Sequence, residues 1–431
     1  MTNQSLIPRM IEVRQNYPAR KPLDIPVLVR ERFAASGVLE RVRPGMQIAV
    51  GVGSRGISNL SAVVKAVLDV LTGAGARPFI VPAMGSHGGA TPEGQTRILA
   101  GYGVSAETMG VPIKASMEVR KIGTAFNGRD VVFSAAALEA DAVVPINRVK
   151  PHTDFQGEFG SGIQKMLAVG FGKQVGASLA HSAAACEGYI EAFREYARVA
   201  LGAVGVLCGV AIVEDQRHQT AEIEVLPRNE IASAEKRLIA RATELLPRLP
   251  LHEIDLLIVD EMGKEISGTG MDTNVIGREI TGYSSSLQAK SLWPANGHSV
   301  LIHRILVCGL TEASKGNGMG LGLADFATTR LVKALDLRST YMNALTSLGM
   351  ISPKIPIHFD SDREAIEQGL ASLASLHPER LRVVRIVNTL RLERLLASES
   401  CAEDLKGRPE LALADTADAM QFDPSGNLLP F

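Results

Sequence analysis

Residues 46–82 read MQIAVGVGSRGISNLSAVVKAVLDVLTGAGARPFIVP. The run Met46–Val52 is apolar and too short for a buried helix, so it reads as a strand. A glycine-rich turn, GVGSRGIS, follows. An amphipathic helical pattern then runs from about Asn59 to Thr72, with Ser58 as its expected N-cap. Gly73 and Gly75 end it, and Pro78–Pro82 is a second apolar run. Strand, turn, helix, strand in this order predicts a parallel α/β sheet.

Working outward, the same alternation recurs. Thr91-Pro92 opens a helix with a capping residue and a proline at the first position. Asp141–Ile146 and Val206–Val213 are further buried-strand patterns. A helix is expected over Ala232–Leu246, and two prolines, Pro247 and Pro250, break it. Beyond the break, strands are expected at Ile254–Val259, Val300–Val307 and Arg382–Ile386, and helices at Leu323–Leu335 and Asp362–Leu376. The expected fold class is therefore α/β with two domains, each with a mostly parallel sheet and flanking helices. The boundaries fall at 1–250 and 251–397, with the polar tail 398–431 folding back on the first domain or partly loose.

Composition narrows the function. The chain has 431 residues, 46% hydrophobic and 21% charged, with 45 basic against 46 acidic side chains and a formal net charge of -1. That balance supplies no positive field for nucleic acid or a membrane surface, so neither is expected as a partner. Four scattered cysteines suggest neither a disulfide framework nor a cysteine zinc site, and a reducing cytoplasm is the expected setting. No signal peptide is read at the N-terminus, and the most apolar stretch, Val199–Val213, is too short to span a bilayer.

Chemistry-bearing residues collect after predicted strands, where open α/β sheets bind ligands. In the first turn, Gly51, Gly53 and Gly56 fit G-x-G-x-x-G, yet no acidic residue stands at a strand end about 20 residues on to hold a ribose. A nicotinamide site and a plain tight turn both fit it. Arg55 offers a fork for a carboxylate or phosphate. The loop GSHGGAT puts His87 among small residues, as an accessible imidazole or a structural one. The run Asn147–His181, NRVKPHTDFQGEFGSGIQKMLAVGFGKQVGASLAH, carries His152, Lys165 and His181. A lysine among apolar neighbours loses its proton readily and becomes a nucleophile, although a snorkelling surface lysine has the same local pattern. In SGTGMDTNVIGR, Asp272 and Asn274 suit either a ligand cleft or a turn that bonds its own backbone.

Taken together, GSRGI, MGSHGG and the run to His181 resemble the nickel-dependent lactate racemase family, as a divergent member. The likeness is clearest over roughly residues 40–185. It implies an isomerase with its active site in the interdomain cleft, acting as a racemase or epimerase of 2-hydroxy acids by reversible hydride transfer to a nickel-pincer nucleotide. That cofactor is pyridinium-3,5-bisthiocarboxylic acid mononucleotide with nickel, and it is made by dedicated cofactor-building enzymes. By matching position, Lys165 is the covalent tether and His181 the nickel ligand. His87 and His152 are acid and base on opposite faces of the substrate, Arg55 contacts it, and glycine-rich loops including Gly85 and Ser86 receive the cofactor phosphate. Imidazole, with a pKa near 6.5, serves as base or acid near neutrality.

Three departures bear on the substrate. Val52 stands where the family often has an acidic residue, Gly88-Gly89 follow His87 in place of an arginine, and the His152–Lys165 gap is longer. Another 2-hydroxy acid, or a sugar acid epimerised at C2, fits as well as lactate. A nicotinamide-dependent oxidoreductase and a non-catalytic carboxylate-binding protein are the competing classes.

Overall fold

The computed structural model describes residues 7–53, 56–153, 157–278, 300–373 and 378–431. The chain divides into two compact units: residues 20–246, and residues 1–19 together with 247–431.

The 20–246 unit is built on a five-stranded sheet in the order Arg77–Pro82, Gln47–Val52, Ala142–Arg148, Cys208–Glu214, Thr220–Pro227. The first four strands are parallel and only the last is antiparallel. Alternation along Gln47–Val52 shows why the whole run is apolar. Ile48, Val50 and Val52 pack with Val63, Val67 and Leu71 of the helix Leu60–Gly73 on one face. Ala49 joins Val81, Val143, Met166 and Phe171 on the other. A parallel strand buried on both faces must be hydrophobic at every position. Gly51 shares the Ala49 face, and a Cβ there would come within 2.2 Å of the Phe171 ring. This glycine makes room for an aromatic side chain, which accounts for it without a nucleotide.

The other unit holds an eight-stranded sheet in the order Ile357–Phe359, Phe326–Thr328, Leu301–Leu310, Glu253–Met262, Val383–Ile386, Arg394–Ser398, Arg9–Gln15, Leu411–Ala419. Its first five strands are parallel and the remaining pairings antiparallel.

Several expectations are corrected. Residues 1–19 and the tail 398–431 belong with 247–431 rather than with the first domain. The physical reason is strand pairing: Arg9–Gln15 fills the gap between Arg394–Ser398 and Leu411–Ala419, so both termini complete one sheet. The stretch Leu323–Leu335 is not one helix. Phe326–Thr328 is a short strand, and Thr328 then caps a helix over Thr329–Lys333. Ser58 is not the N-cap of the helix Leu60–Gly73. Asn59 holds that position in the left-handed region, and the Ser58 amide instead donates to Glu214 Oε1 at 2.7 Å. By contrast, Thr91 caps Pro92–Gly101 through a bond from the Gly94 amide at 3.0 Å.

Candidate active site

The three motif loops leave the carboxyl ends of three neighbouring parallel strands. Residues 53–59 follow Gln47–Val52, residues 83–91 follow Arg77–Pro82, and residues 149–162 follow Ala142–Arg148. Residues 60–82 and 92–148 separate these loops in the sequence, and sheet order makes them neighbours.

Lys165 closes the short helix Ile163–Lys165, and a wide π-helical turn, Met166–Gly170, follows it. Such turns recur at functional sites because they displace side chains from the regular helical register. The helix Lys173–Glu187 comes next and carries His181. The start of this element is held from below by Glu235 of the helix Ile231–Glu244. Its carboxylate accepts from the Ile163 amide and, at 3.1 Å, from the Gln164 amide. A Cβ on Gly162 would lie 2.1 Å from Glu235 Oε1, so only glycine admits this carboxylate. Burial pushes the Glu235 carboxyl up to about 7, against the pull of those amides.

Removing that carboxylate leaves two buried amides unsatisfied. We expect Glu235→Ala to destabilise the fold by about 1–3 kcal/mol, measured by chemical denaturation. The pH sign follows from the raised value. Glu235 contributes stability below its unfolded value of about 4.5, and this is lost as pH rises through about 7. The difference between wild type and Glu235→Ala therefore shrinks over that window.

His152 is buried, with 3% of its surface exposed. Its Nε2 is in hydrogen-bond contact with the half-buried Lys165 amine. The Lys165 amine also sits 5.8 Å from the centroid of the Phe193 ring. The same ring meets His181 edge-on, with centroids 5.4 Å apart at 89°, and His152 at 6.5 Å. Phe193 lies on the helix Tyr189–Ala203, and Tyr189 of that helix also packs against His181 at 6.3 Å. One aromatic side chain thus gathers Lys165, His152 and His181, which lie 13 and 16 residues apart along the chain.

His181 Nδ1 is sealed from solvent and makes no hydrogen bond. Burial, with the Lys165 charge nearby, pulls the ring down to about 4. The imidazole is therefore neutral at physiological pH, with one nitrogen lone pair or N–H unsatisfied. This is the state a metal ligand requires. In the metal-free protein we expect His181 to titrate near pH 4 by imidazole NMR; a midpoint near 6.5 would contradict the burial of this ring.

His87 is half-buried on the loop after Arg77–Pro82, with Gly85 buried and Ser86 half-buried beside it. The Gly85 amide donates to Gly170 O at 3.0 Å, which ties this loop to the turn just after Lys165.

The remaining expected residues fall elsewhere. Arg55 lies outside the described residues. Asp272 and Asn274 belong to the other unit. There the Asp272 side chain caps the turn Thr273–Ile276, accepting from the Asn274 backbone and side-chain nitrogens at 2.9 Å each. Arg278 pairs with Asp325 at 2.6 Å and bonds Leu323 O. These contacts describe the turn-forming alternative for Asp272 and Asn274. Among the described residues, no group of three or more His, Cys, Asp or Glu is arranged to hold a metal. None of the described helices is long and apolar enough to cross a membrane.

Phe193, Glu235, Gln95 and Lys173 had no sequence signal that set them apart. Each is a common residue in an ordinary amphipathic helix, and its role exists only through contacts distant in sequence.

Comparison with known proteins follows the same lines. Residues 30–188 match the lactate racemase N-terminal domain, a span that includes all four of His87, His152, Lys165 and His181. Over this span, somewhat more than a third of the chain, it is similar to that domain. Its fold is also similar to that of the lactate racemase apoprotein from Thermoanaerobacterium thermosaccharolyticum, with a TM-score of 0.50 at 11% identity over 88% of this chain and 98% of that one. A protein from Thermotoga maritima is similar at a TM-score of 0.50 and 14% identity, over 78% of this chain and 84% of that one. At such identities the likeness is one of fold. No curated protein sequence matches the chain. The match to this domain supports an isomerase of the racemase or epimerase type.

Proposed function

We propose that this chain, which carries a lactate racemase-like N-terminal domain, inverts the carbinol carbon of a 2-hydroxy acid or a sugar acid. The nickel-pincer nucleotide would be held by Lys165 as covalent tether and His181 as metal ligand. The observation that carries this reading is the buried, hydrogen-bond-free Nδ1 of His181, on the helix that follows the Lys165 turn and against the same Phe193 ring. A neutral imidazole with an unused nitrogen fits a nickel ion whose other donors come with the cofactor.

When bound, the group supplies an electron-poor acceptor for hydride from the substrate carbinol carbon. The protein's own residues handle protons and orientation. Of His152, at the Lys165 amine, and His87, on the neighbouring loop, one would take the hydroxyl proton of the entering enantiomer and the other, protonated, would give a proton to the inverted product on the opposite face. The buried setting of His152 keeps bulk water from competing for that proton. Arg55, by family position, would clamp the substrate carboxylate and fix the face presented. The Gly85–Ser86 loop would receive the cofactor phosphate, with Ser86 supplying the backbone amide, since the Gly85 amide already bonds Gly170 O.

The test is production of the full chain together with cofactor-building enzymes, then metal analysis, the mass of the Lys165 peptide, and a screen of 2-hydroxy and sugar acids for stereochemical inversion. Nickel, a mass increment of several hundred daltons on that peptide and inversion of one acid support the reading. A loaded protein that inverts none of them would refute it.

A further inference from the structure

Lys173 is the only lysine among the described residues with no exposed surface. It stands at the start of the helix Lys173–Glu187 with a left-handed φ of 55°, a conformation that a side chain with a Cβ rarely adopts. Backbone strain of this kind persists only where surrounding contacts enforce it, and it gathers at functional sites. The amine donates to Pro82 O at 2.5 Å and to Gln95 Oε1 at 3.2 Å. Both are neutral oxygens, so the ammonium is enclosed without a carboxylate, and burial pulls it down to about 8. That is a costly arrangement for a group with no task.

Gln95 reveals the task. It is also wholly buried, on the helix Pro92–Gly101. A glutamine amide can be turned either way, and its surroundings decide which end is oxygen. Here the Lys173 amine claims the oxygen. The amide nitrogen therefore faces the other way, where it donates to Gly85 O at 2.9 Å and His87 O at 3.3 Å. The loop that carries His87 is thus held by a two-part strut anchored in the helix that carries His181. Its second tie, from the Gly85 amide to Gly170 O, ends on the turn that follows Lys165.

We propose that Lys173 and Gln95 are positioning residues for His87: the buried amine anchors the Gln95 oxygen, and the Gln95 nitrogen fixes the His87 loop against the segment 163–187 that bears Lys165 and His181. The catalytic part of this inference rests on the acid/base reading of His87 given above.

Gln95→Glu separates positioning from folding. A carboxylate accepts from Lys173 and even pairs with its charge, so the fold is kept. It has no N–H to give to the Gly85 and His87 carbonyls. In the full, metal-free chain, hydrogen–deuterium exchange over residues 83–91 should accelerate by about 10-fold, with residues 163–187 unchanged. In cofactor-loaded protein, kcat should fall by about 10²-fold through displacement of His87. KM, nickel content and the mass of the Lys165 peptide should stay at wild-type values. Lys173→Met should lower kcat in the same direction, because the buried Gln95 oxygen then loses the donor that anchors it.

Unchanged exchange over 83–91 in Gln95→Glu overturns the proposal. So does a fall in kcat without that change, since Gln95 would then act on the chemistry directly. If wild-type loaded protein inverts no acid, the catalytic reading fails, while exchange over 83–91 still decides whether the strut holds the loop.

Discussion

Lys165→Ala is expected to leave a protein with no covalent cofactor and no detectable turnover, while its fold remains intact. The side chain is half-buried and serves no core cluster, so its loss creates no large cavity. What it removes is the amine held at His152 Nε2. Lys165→Arg sharpens the test. It preserves the positive charge beside His152 and His181, yet a guanidinium is always protonated and is no nucleophile. Both variants should therefore lack the mass increment on the peptide that contains position 165. They should differ in the neighbouring ring. Burial is the larger cause that lowers His181 and the Lys165 charge the smaller. In Lys165→Ala the midpoint should rise part of the way from about 4 towards 6.5, whereas in Lys165→Arg it should stay low. A Lys165→Ala protein that still carries the increment on another lysine would contradict the assignment of the tether.

Replacing either acid/base histidine should slow inversion by about 10²- to 10⁴-fold while nickel and the Lys165 increment are retained. The substitutions must respect their surroundings. His87 is half-buried on a loop, so His87→Ala is a clean deletion. His152 is buried against Phe193 and the Lys165 amine, and alanine there would open a cavity. His152→Gln keeps a hydrogen-bond acceptor of similar length for that amine but cannot shuttle a proton near neutrality. Loaded His152→Gln protein with wild-type kcat, measured by polarimetry on the acid identified in the screen, would remove His152 from the mechanism. Because racemisation passes through both faces, kcat/KM should fall equally from either enantiomer for each variant.

How far the site was legible can be traced through particular residues. Glycine-rich turns after apolar runs marked the loops of His87 and His152, because a parallel sheet buried on both faces forces continuous hydrophobic strands and tight exits. The same periodicity misled at Leu323–Leu335, where a three-residue strand and a five-residue helix blend into one apolar pattern. It misled again in the polar tail. The alternation of Leu411–Ala419 is weak on its own and becomes a strand because Arg9–Gln15 pairs with it. Asp272 and Asn274 are typical turn formers, and one sequence offers no means of separating that role from ligand binding.

Local sequence determined the strand–turn–helix grammar, the neutral charge balance and the residue types able to do the chemistry, because these follow from side-chain periodicity and short-range sterics. Only the tertiary structure decided that three loops far apart in the chain leave adjacent strands. It also decided that Phe193 gathers a lysine and two imidazoles, and that Glu235 and the Lys173–Gln95 pair brace their backbone. Those arrangements depend on which buried polar group finds which partner across the fold, and that pairing is set by packing between distant segments rather than by any window of sequence.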